Sequence, residues 1–351
     1  SGLEETNCST LILTHVLFRH GFRTPDSYEL YPLDPYLDYQ YFPFGRGQLT
    51  NRGKRREFSV GKALRQRYDQ FLGEYYFPGI MEAFSSDMDR TKMSLELVLA
   101  ALFPSRDMEK WNEGEWQPTP FNYSDKLKDP SKQPYLQLLL GGLCPNFRKM
   151  YDSVMNLPEV REDVMKYNFE IQYISDNAGK NMEPYYDLYI LYFGLTAEVD
   201  WGFELPPWTN AVYPDFLRSM VIKQYLTMAR TTKMVQMVSG LLLKKILFDT
   251  IYKIVNTNDR KIYLYSGHEA NIALLLIILG LFDKPHVPPC GAYLIFEVHM
   301  LDNYYGIQIY YQNYTTDVPQ LLKLPNCEDL CPLDQFEAIV ERYLPTQDIS
   351  C

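Results

Sequence analysis

The chain has no apolar run long enough to cross a bilayer. Its longest, Ile272 to Phe282, stops at Asp283, well short of the about 18 to 20 residues a membrane helix needs. It therefore predicts a buried helix and no membrane insertion. Basic charge is also in short supply. With 34 Lys and Arg against 44 Asp and Glu, the formal net charge is -10, which repels phosphate backbones and anionic lipids and argues against a nucleic-acid partner. Any anion site must be local. Cysteine is sparse: Cys8, Cys144, Cys290, Cys327, Cys331 and Cys351, none spaced Cys-x-x-Cys as zinc ribbons and redox motifs require. No N-terminal stretch shows the charged, apolar and small-residue order of a signal peptide, so a secreted protein is expected here in its mature form.

What is present points to a folded, extracellular protein. The 351 residues give a soft prior of two domains, and 46% hydrophobic with 22% charged residues excludes wholesale disorder. The 29 Tyr are unusually many and ask for an explanation. Six cysteines are an even number, and disulfides are a simpler reading than reduced thiols in a cytosolic protein. Cys327 and Cys331 sit close enough in Cys-Glu-Asp-Leu-Cys-Pro to bridge locally. Asn-x-Ser/Thr sequons begin at Asn7, Asn122 and Asn313. Together these features predict a secreted, soluble glycoprotein.

Three times along the chain a strand-like run gives way to a polar junction and then a helix. Leu11 to Phe18 is apolar on both sides, as in the centre of a parallel sheet, and ends at Arg19-His20-Gly21. Thr50 can cap a helix to about Leu72, with Phe58, Leu64, Tyr68 and Phe71 spaced for one buried face. Gly79 to Phe84 leads through Ser85–Arg90 into a helix over Thr91 to Phe103. Lys261 to Tyr265 leads through Ser266-Gly267-His268-Glu269 into another helix. Tyr293 to His299 and Tyr305 to Gln312 alternate like an antiparallel pair at an edge of the same sheet. Between these parts, residues 106–255 carry Trp-, Pro- and Tyr-rich loops with helical patterns at Met182 to Leu195 and Phe216 to Ile251. The expected architecture is α/β: a central, mostly parallel sheet flanked by helices, built from 1–105 and 256–351, with a mainly helical cap inserted over 106–255. Ligands of such sheets bind beyond the carboxyl ends of the strands, where helix N-termini favour anions. Arg19, His20, Arg23, Arg90 and His268 all fall at those junctions.

Arg19-His20-Gly21-Phe22-Arg23-Thr24-Pro25 is the sharpest signal. Two guanidiniums flank an imidazole, a pattern suited to gripping phosphate oxygens while a ring nitrogen attacks phosphorus. A structural basic turn is the plainer alternative. Other patterns are weak. His268-Glu269 opens no zinc-protease motif because position 272 is Ile, and Gly45-Arg46-Gly47 lacks the third glycine of a dinucleotide loop. His15, among apolar neighbours, reads as a core histidine.

The heptapeptide resembles the Arg-His-Gly-x-Arg-x-Pro motif of the histidine acid phosphatases, the branched histidine phosphatase clan. Ser86-Asp87-Met88-Asp89-Arg90-Thr91 resembles the family's second arginine segment, and Tyr265-Ser266-Gly267-His268-Glu269 its distal histidine and acid segment. Their order and the ending Cys327-Glu-Asp-Leu-Cys331-Pro332 agree across nearly the whole chain. The likeness is strongest to secreted insect members, including venom and salivary proteins. The resemblance implies a histidine phosphatase-like fold, and His20 as the nucleophile that becomes a phosphohistidine. It implies Arg19, Arg23, Arg90 and His268 as phosphate ligands, Glu269 as the acid for the leaving oxygen, and no metal or cofactor.

Two positions depart from the family pattern. Most relatives carry Asp where this chain has Glu269, and many carry Asp at Phe22, where a phenyl ring would line an apolar pocket mouth or simply pack under the loop. Tyr185, Tyr189 and Tyr192 share one helical face, which predicts a packed core of the cap. Their rings could instead wall a site for an organic cation near Glu183, Asp187 or Glu269. Two functions follow. One is a secreted acid phosphatase hydrolysing small phosphate esters. The other is a catalytically weakened member that sequesters small mediators, biogenic amines such as serotonin or histamine, or lipid mediators, in the former active-site pocket. Oligomerisation is open in either case.

Overall fold

The computed structural model describes residues 10–123, 144–256 and 258–346; Asn7, Cys8 and Cys351 lie outside them. In chain order come β1 (Leu11–Arg19), α1 (Asn51–Leu72), β2 (Met81–Ser85), α2 (Asp89–Leu102) and β3 (Asn122–Tyr123). A helical stretch follows: α3 (Pro145–Met155), α4 (Pro158–Met165), α5 (Asn168–Ala178), α6 (Tyr186–Trp201), α7 (Asp215–Met228), α8 (Thr232–Met237) and α9 (Ser239–Val255). The chain then returns through β4 (Ile262–Gly267), α10 (Glu269–Ile278), β5 (Tyr293–Met300), β6 (Tyr305–Gln312), β7 (Gln320–Leu322), β8 (Cys331–Pro332) and α11 (Leu333–Val340).

Among the described residues, eight strands join one sheet, ordered β3-β2-β4-β1-β5-β6-β7, with β8 also pairing with β6. The sheet is mixed. β3, β2, β4 and β1 are parallel, whereas β5 to β8 run antiparallel to their neighbours. The antiparallel part is thus larger than the expected edge pair, because β7 and β8 are too short to show any periodicity. Register aligns the carboxyl ends of the parallel strands: Arg19 of β1 lies opposite Gly267 of β4, and Ser266 of β4 opposite Ser85 of β2.

Alternation along β1 distributes its side chains between two layers. Val16 and Phe18 pack with Val60, Leu64 and Tyr68 of α1 and with Leu95 and Val98 of α2. Leu13 and Leu17 face a larger cluster that includes Leu243 and Ile246 of α9, Ile272 of α10, and Tyr189 and Tyr225 of α6 and α7. Fully burying each such aliphatic or aromatic side chain contributes about 1.5–3 kcal/mol before chain entropy is counted. His15 is a core histidine as expected: its ring nitrogens lie 3.2 Å from the Tyr265 hydroxyl and 3.0 Å from Thr250 Oγ1. Burial, with Lys245 nearby, lowers its pKa to about 3, so it stays neutral.

Thr50 caps α1, its hydroxyl accepting the Gly53 N–H at 3.2 Å. The buried stripe of that helix holds Leu64 and Tyr68, but Phe58 is 37% exposed and carries the Lys62 ammonium over its ring. The expected Phe216 to Ile251 pattern resolves into three helices. Thr231 starts a new helix by capping Met234 N–H, and Val238 leaves helical geometry at φ -107, ψ -82. Likewise α6 begins only at Tyr186, after Pro184 and a Tyr185 with φ 63.

Cys327 and Cys331 are disulfide-bonded, and Cys144 is disulfide-bonded too. Cys290 departs from the all-disulfide reading: it is a free thiol, and burial pushes its pKa up, which makes it a poor nucleophile. The loop between β1 and α1 meets α6 at a buried carboxyl pair, Asp34 and Glu198. Burial and the Asp34 charge push Glu198 up to about 9.

Candidate active site

Parallel pairing and register bring the three polar junctions together at one end of the sheet. Past β1, the His20 N–H donates to the Gly267 carbonyl at 3.0 Å, and past β2 the Ser86 N–H donates to the Ser266 carbonyl at 3.1 Å. The loop after β1 also lies against the first turn of α1. A Cβ on Gly53 would stand 2.0 Å from the Phe22 carbonyl oxygen, and one on Gly21 would stand 2.5 Å from the Gly53 carbonyl oxygen. Both positions therefore require glycine, because backbone meets backbone there.

His20 lies in this pit with only 2% of its surface exposed. Its Nδ1 is 2.8 Å from the Gly21 carbonyl. Since a carbonyl only accepts, Nδ1 carries the proton and Nε2 keeps its lone pair. Burial, then the charges of Arg90 and Arg19, hold the His20 pKa well below the usual histidine value. The imidazole is accordingly neutral and basic at one nitrogen. His268 caps α10 and meets the His20 ring edge to face, with centroids 5.6 Å apart. Its Nε2 lies 2.9 Å from Ser86 Oγ, and the same physical causes, burial and Arg90 foremost, keep it uncharged.

Three buried guanidiniums surround the pair. Arg19 donates to the Pro288 carbonyl at 2.6 Å, and its guanidinium carbon lies 5.3 Å from the Phe193 ring centroid. Arg23 forms a two-pronged ion pair with Glu29, at 2.7 and 2.5 Å. Arg90 bonds Asp26 at 3.0 Å and the Tyr28 hydroxyl at 3.3 Å. Each of the three keeps an Nε–H that is buried without a hydrogen-bond partner, and a bound anion can satisfy such donors. Asp26 and Glu29 are themselves locked together: the Asp26 N–H donates to Glu29 Oε2 at 2.8 Å in a capping box.

Glu269 is the first residue of α10 and is buried. The Tyr189 hydroxyl of α6 donates to its Oε1 at 2.5 Å. Phe22 is half-buried, with the Arg52 guanidinium 3.7 Å from its ring centroid and that of Arg56 at 5.8 Å. Arg52 also bonds Asp200 of α6 at 2.7 Å. The sequence-predicted residues Arg19, His20, Arg23, Arg90, His268 and Glu269 thus lie around one pit, whereas the Phe22 ring meets Arg52 and Arg56. The tyrosine face singled out from the sequence divides: Tyr185 donates to Asp163, whereas Tyr189 reaches Glu269. Glu183 and Asp187 are engaged by Arg148 and Lys180.

Several contributors escaped sequence reasoning. Glu29 was legible in principle, since Asp26-Ser27-Tyr28-Glu29 has the spacing of a capping box. Ser86, Pro288 and the role of Tyr189 carry no local signal, because each depends on chain segments that meet only in the folded state. An uncharged imidazole with a free Nε2, ringed by guanidinium donors and beside a buried carboxyl group, suits nucleophilic attack on an anionic centre.

Residues 10–312 match the family model of the histidine phosphatase superfamily (branch 2). Among curated proteins, the chain is 37% identical over 341 residues to venom acid phosphatase Acph-1 of Apis mellifera, covering 95% of this chain and 85% of that one. It is 28% identical to the lysosomal acid phosphatase of Homo sapiens, over 97% of this chain and 79% of the relative. Among solved structures it resembles the phytase of Klebsiella sp ASR1, with a TM-score of 0.70 at 15% identity over 97% of this chain and 99% of that one. It also resembles a Hafnia alvei phytase in complex with myo-inositol hexakis sulphate, with a TM-score of 0.66 at 19% identity over 95% and 97% of the two chains.

Proposed function

The chain belongs to branch 2 of the histidine phosphatase superfamily, and from that premise we propose that it hydrolyses phosphate monoesters through a phosphohistidine at His20. The observation that carries this reading is the His20 imidazole itself, with its Nδ1 proton fixed on the Gly21 carbonyl and its Nε2 lone pair among three guanidiniums. Substrate phosphate docks on Arg19, Arg23, Arg90 and His268. His20 Nε2 attacks phosphorus as the bond to the leaving oxygen breaks, and Glu269 delivers a proton to that oxygen. Water then attacks the phosphohistidine, gives its proton back to Glu269, and inorganic phosphate leaves. Preorganised positive charge stabilises the oxygens during both transfers. A depressed His20 pKa keeps the nucleophile unprotonated in acid, which suits an acid phosphatase.

The test is hydrolysis of a chromogenic phosphate ester at mildly acidic pH by the wild type and by His20→Ala. Turnover by the wild type alone, with an acid-labile phosphoenzyme trapped from labelled substrate, is the expected result. Equal rates in both proteins would overturn the assignment. Sequestration of a small mediator gains no support from the pocket. The Arg52 guanidinium lies over the Phe22 ring and the Tyr189 hydroxyl occupies Oε1 of Glu269, so an organic cation would have to displace Arg52 from the ring and would find only Oε2 of the carboxyl group open.

An extracellular location is part of the same proposal. The Cys327–Cys331 disulfide suits an oxidising compartment, Asn122 is exposed at its sequon, and one of the relatives is a venom protein by name. Among the described residues no helix is long and apolar enough to cross a membrane. The inserted helices 144–256 act in this reading as the cap over the pit, contributing Tyr189, Phe193 and Asp200 to its walls.

A further inference from the structure

The carboxyl group assigned as the acid is held from the far side of the cleft by a side chain outside the motifs. Tyr189 comes from α6, in the helical stretch between β3 and β4, while Glu269 opens α10 after β4. Their contact at 2.5 Å is buried on both sides, with Tyr189 5% and Glu269 4% exposed. The Tyr189 ring is itself clamped, edge-on to Phe193 at 5.0 Å and to Tyr225 at 6.1 Å between centroids. Burial and the neighbouring Glu269 charge raise the Tyr189 pKa, so the phenol remains a donor across the working pH range.

Glu reaches its carboxyl group through one more rotatable bond than Asp, and an unanchored acid distributes itself over several rotamers. A clamped phenol that bonds Oε1 selects one of them. It leaves Oε2 to carry the transferable proton. We propose that Tyr189 is a positioning residue that aims Glu269 at the leaving-group oxygen. This rests on the phosphatase reading, in which Glu269 protonates the leaving group; Tyr189 itself exchanges no proton with substrate.

Tyr189→Phe tests the idea because it removes only the hydroxyl and keeps the ring packing. Dichroism and thermal unfolding report whether the fold is intact. With an alkyl phosphate, whose leaving alkoxide needs a proton, kcat falls on the order of tenfold to a hundredfold, the scale expected for a misplacement of roughly 1 Å. With p-nitrophenyl phosphate, whose leaving group needs little help, kcat falls far less. KM for both changes little, because the phosphate ligands are untouched.

The decisive comparison is Glu269→Gln with and without Tyr189→Phe. If Tyr189 acts through Glu269, the double variant is no slower than Glu269→Gln alone. A further loss in the double variant, equal losses for both esters, or a rise in KM without a fall in kcat would overturn the assignment. Those results would leave the phosphatase reading standing, provided His20→Ala remains inactive. Failure of that reading shows differently, as turnover insensitive to both His20→Ala and Glu269→Gln.

Discussion

The rings of His20 and His268 meet edge to face at 5.6 Å, although the two residues lie far apart along the chain. Neither ring carries a charge, since burial and the surrounding guanidiniums disfavour a second proton on each. Two charged imidazoles at this separation would repel each other and the arginines. The pit therefore concentrates cationic charge on the guanidiniums and keeps its histidines available as bases and donors.

An ordinary histidine takes up its proton between pH 5 and 8. His20 and His268 are expected to titrate well below the ordinary histidine value, because burial and the neighbouring arginines disfavour their charged forms. Proton NMR of histidine-labelled protein checks this, with resonances assigned through His20→Ala and His268→Ala. A midpoint for His20 near the unperturbed value of about 6.5 would contradict the electrostatic account.

Glu29 neutralises and aims Arg23, one of the proposed phosphate ligands. Both side chains are almost completely buried, at 8% and 2% exposure. Removing one partner of such a pair leaves an uncompensated charge and costs about 3–5 kcal/mol. Glu29→Ala is expected to lose stability on that scale in urea unfolding and to bind inorganic phosphate more weakly, read from its inhibition constant. A conservative Glu29→Gln keeps an acceptor for Arg23 and should lose less of both.

The Asp34–Glu198 pair makes stability depend on pH in a stated direction. Glu198 in the folded protein holds its proton up to about 9, against 4.5 for the free side chain. Below the lower value both states are protonated and the native state has its full stability. As pH rises towards the upper value the unfolded chain releases a proton that the native state retains, and stability is lost by up to about 1.4 kcal/mol per pH unit. Glu198→Gln cannot titrate, so its stability relative to wild type should rise steadily over this interval. Urea unfolding of both proteins across pH measures the difference; a flat difference would refute the raised Glu198 pKa.

Much of the fold was legible because local and long-range requirements agree. The β1 run is apolar on both faces and sits at the centre of the sheet, Thr50 does cap α1, and the junction residues lie at aligned strand ends. Phe58 was misread because helical spacing locates a stripe but not its edges, and this ring lies on the solvent side. β7 and β8, three and two residues long, have no period to detect. In the site, the motif residues were legible from charge and strand position. Tyr189 was noticed only for its ring, as packed core or as the wall of a cation site, because its hydroxyl gains its partner when α6 folds over α10. Arg52 over Phe22 escaped for the same reason: an exposed basic residue at a helix start looks like any other until the neighbouring loop is seen beneath it.

The match of Arg19 with Gly267 and of Ser266 with Ser85 places the chemistry under the control of strand alignment. β1 and β4 are apolar towards both layers, so sliding one past the other by a single position exposes little grease to water, unlike a half-solvated strand. It would nonetheless turn the junction side chains away from one another. Refolding yields judged by spectroscopy would count such mis-threaded molecules as recovered, whereas phosphate release would not, and the gap between the two yields measures how faithfully the sheet reassembles.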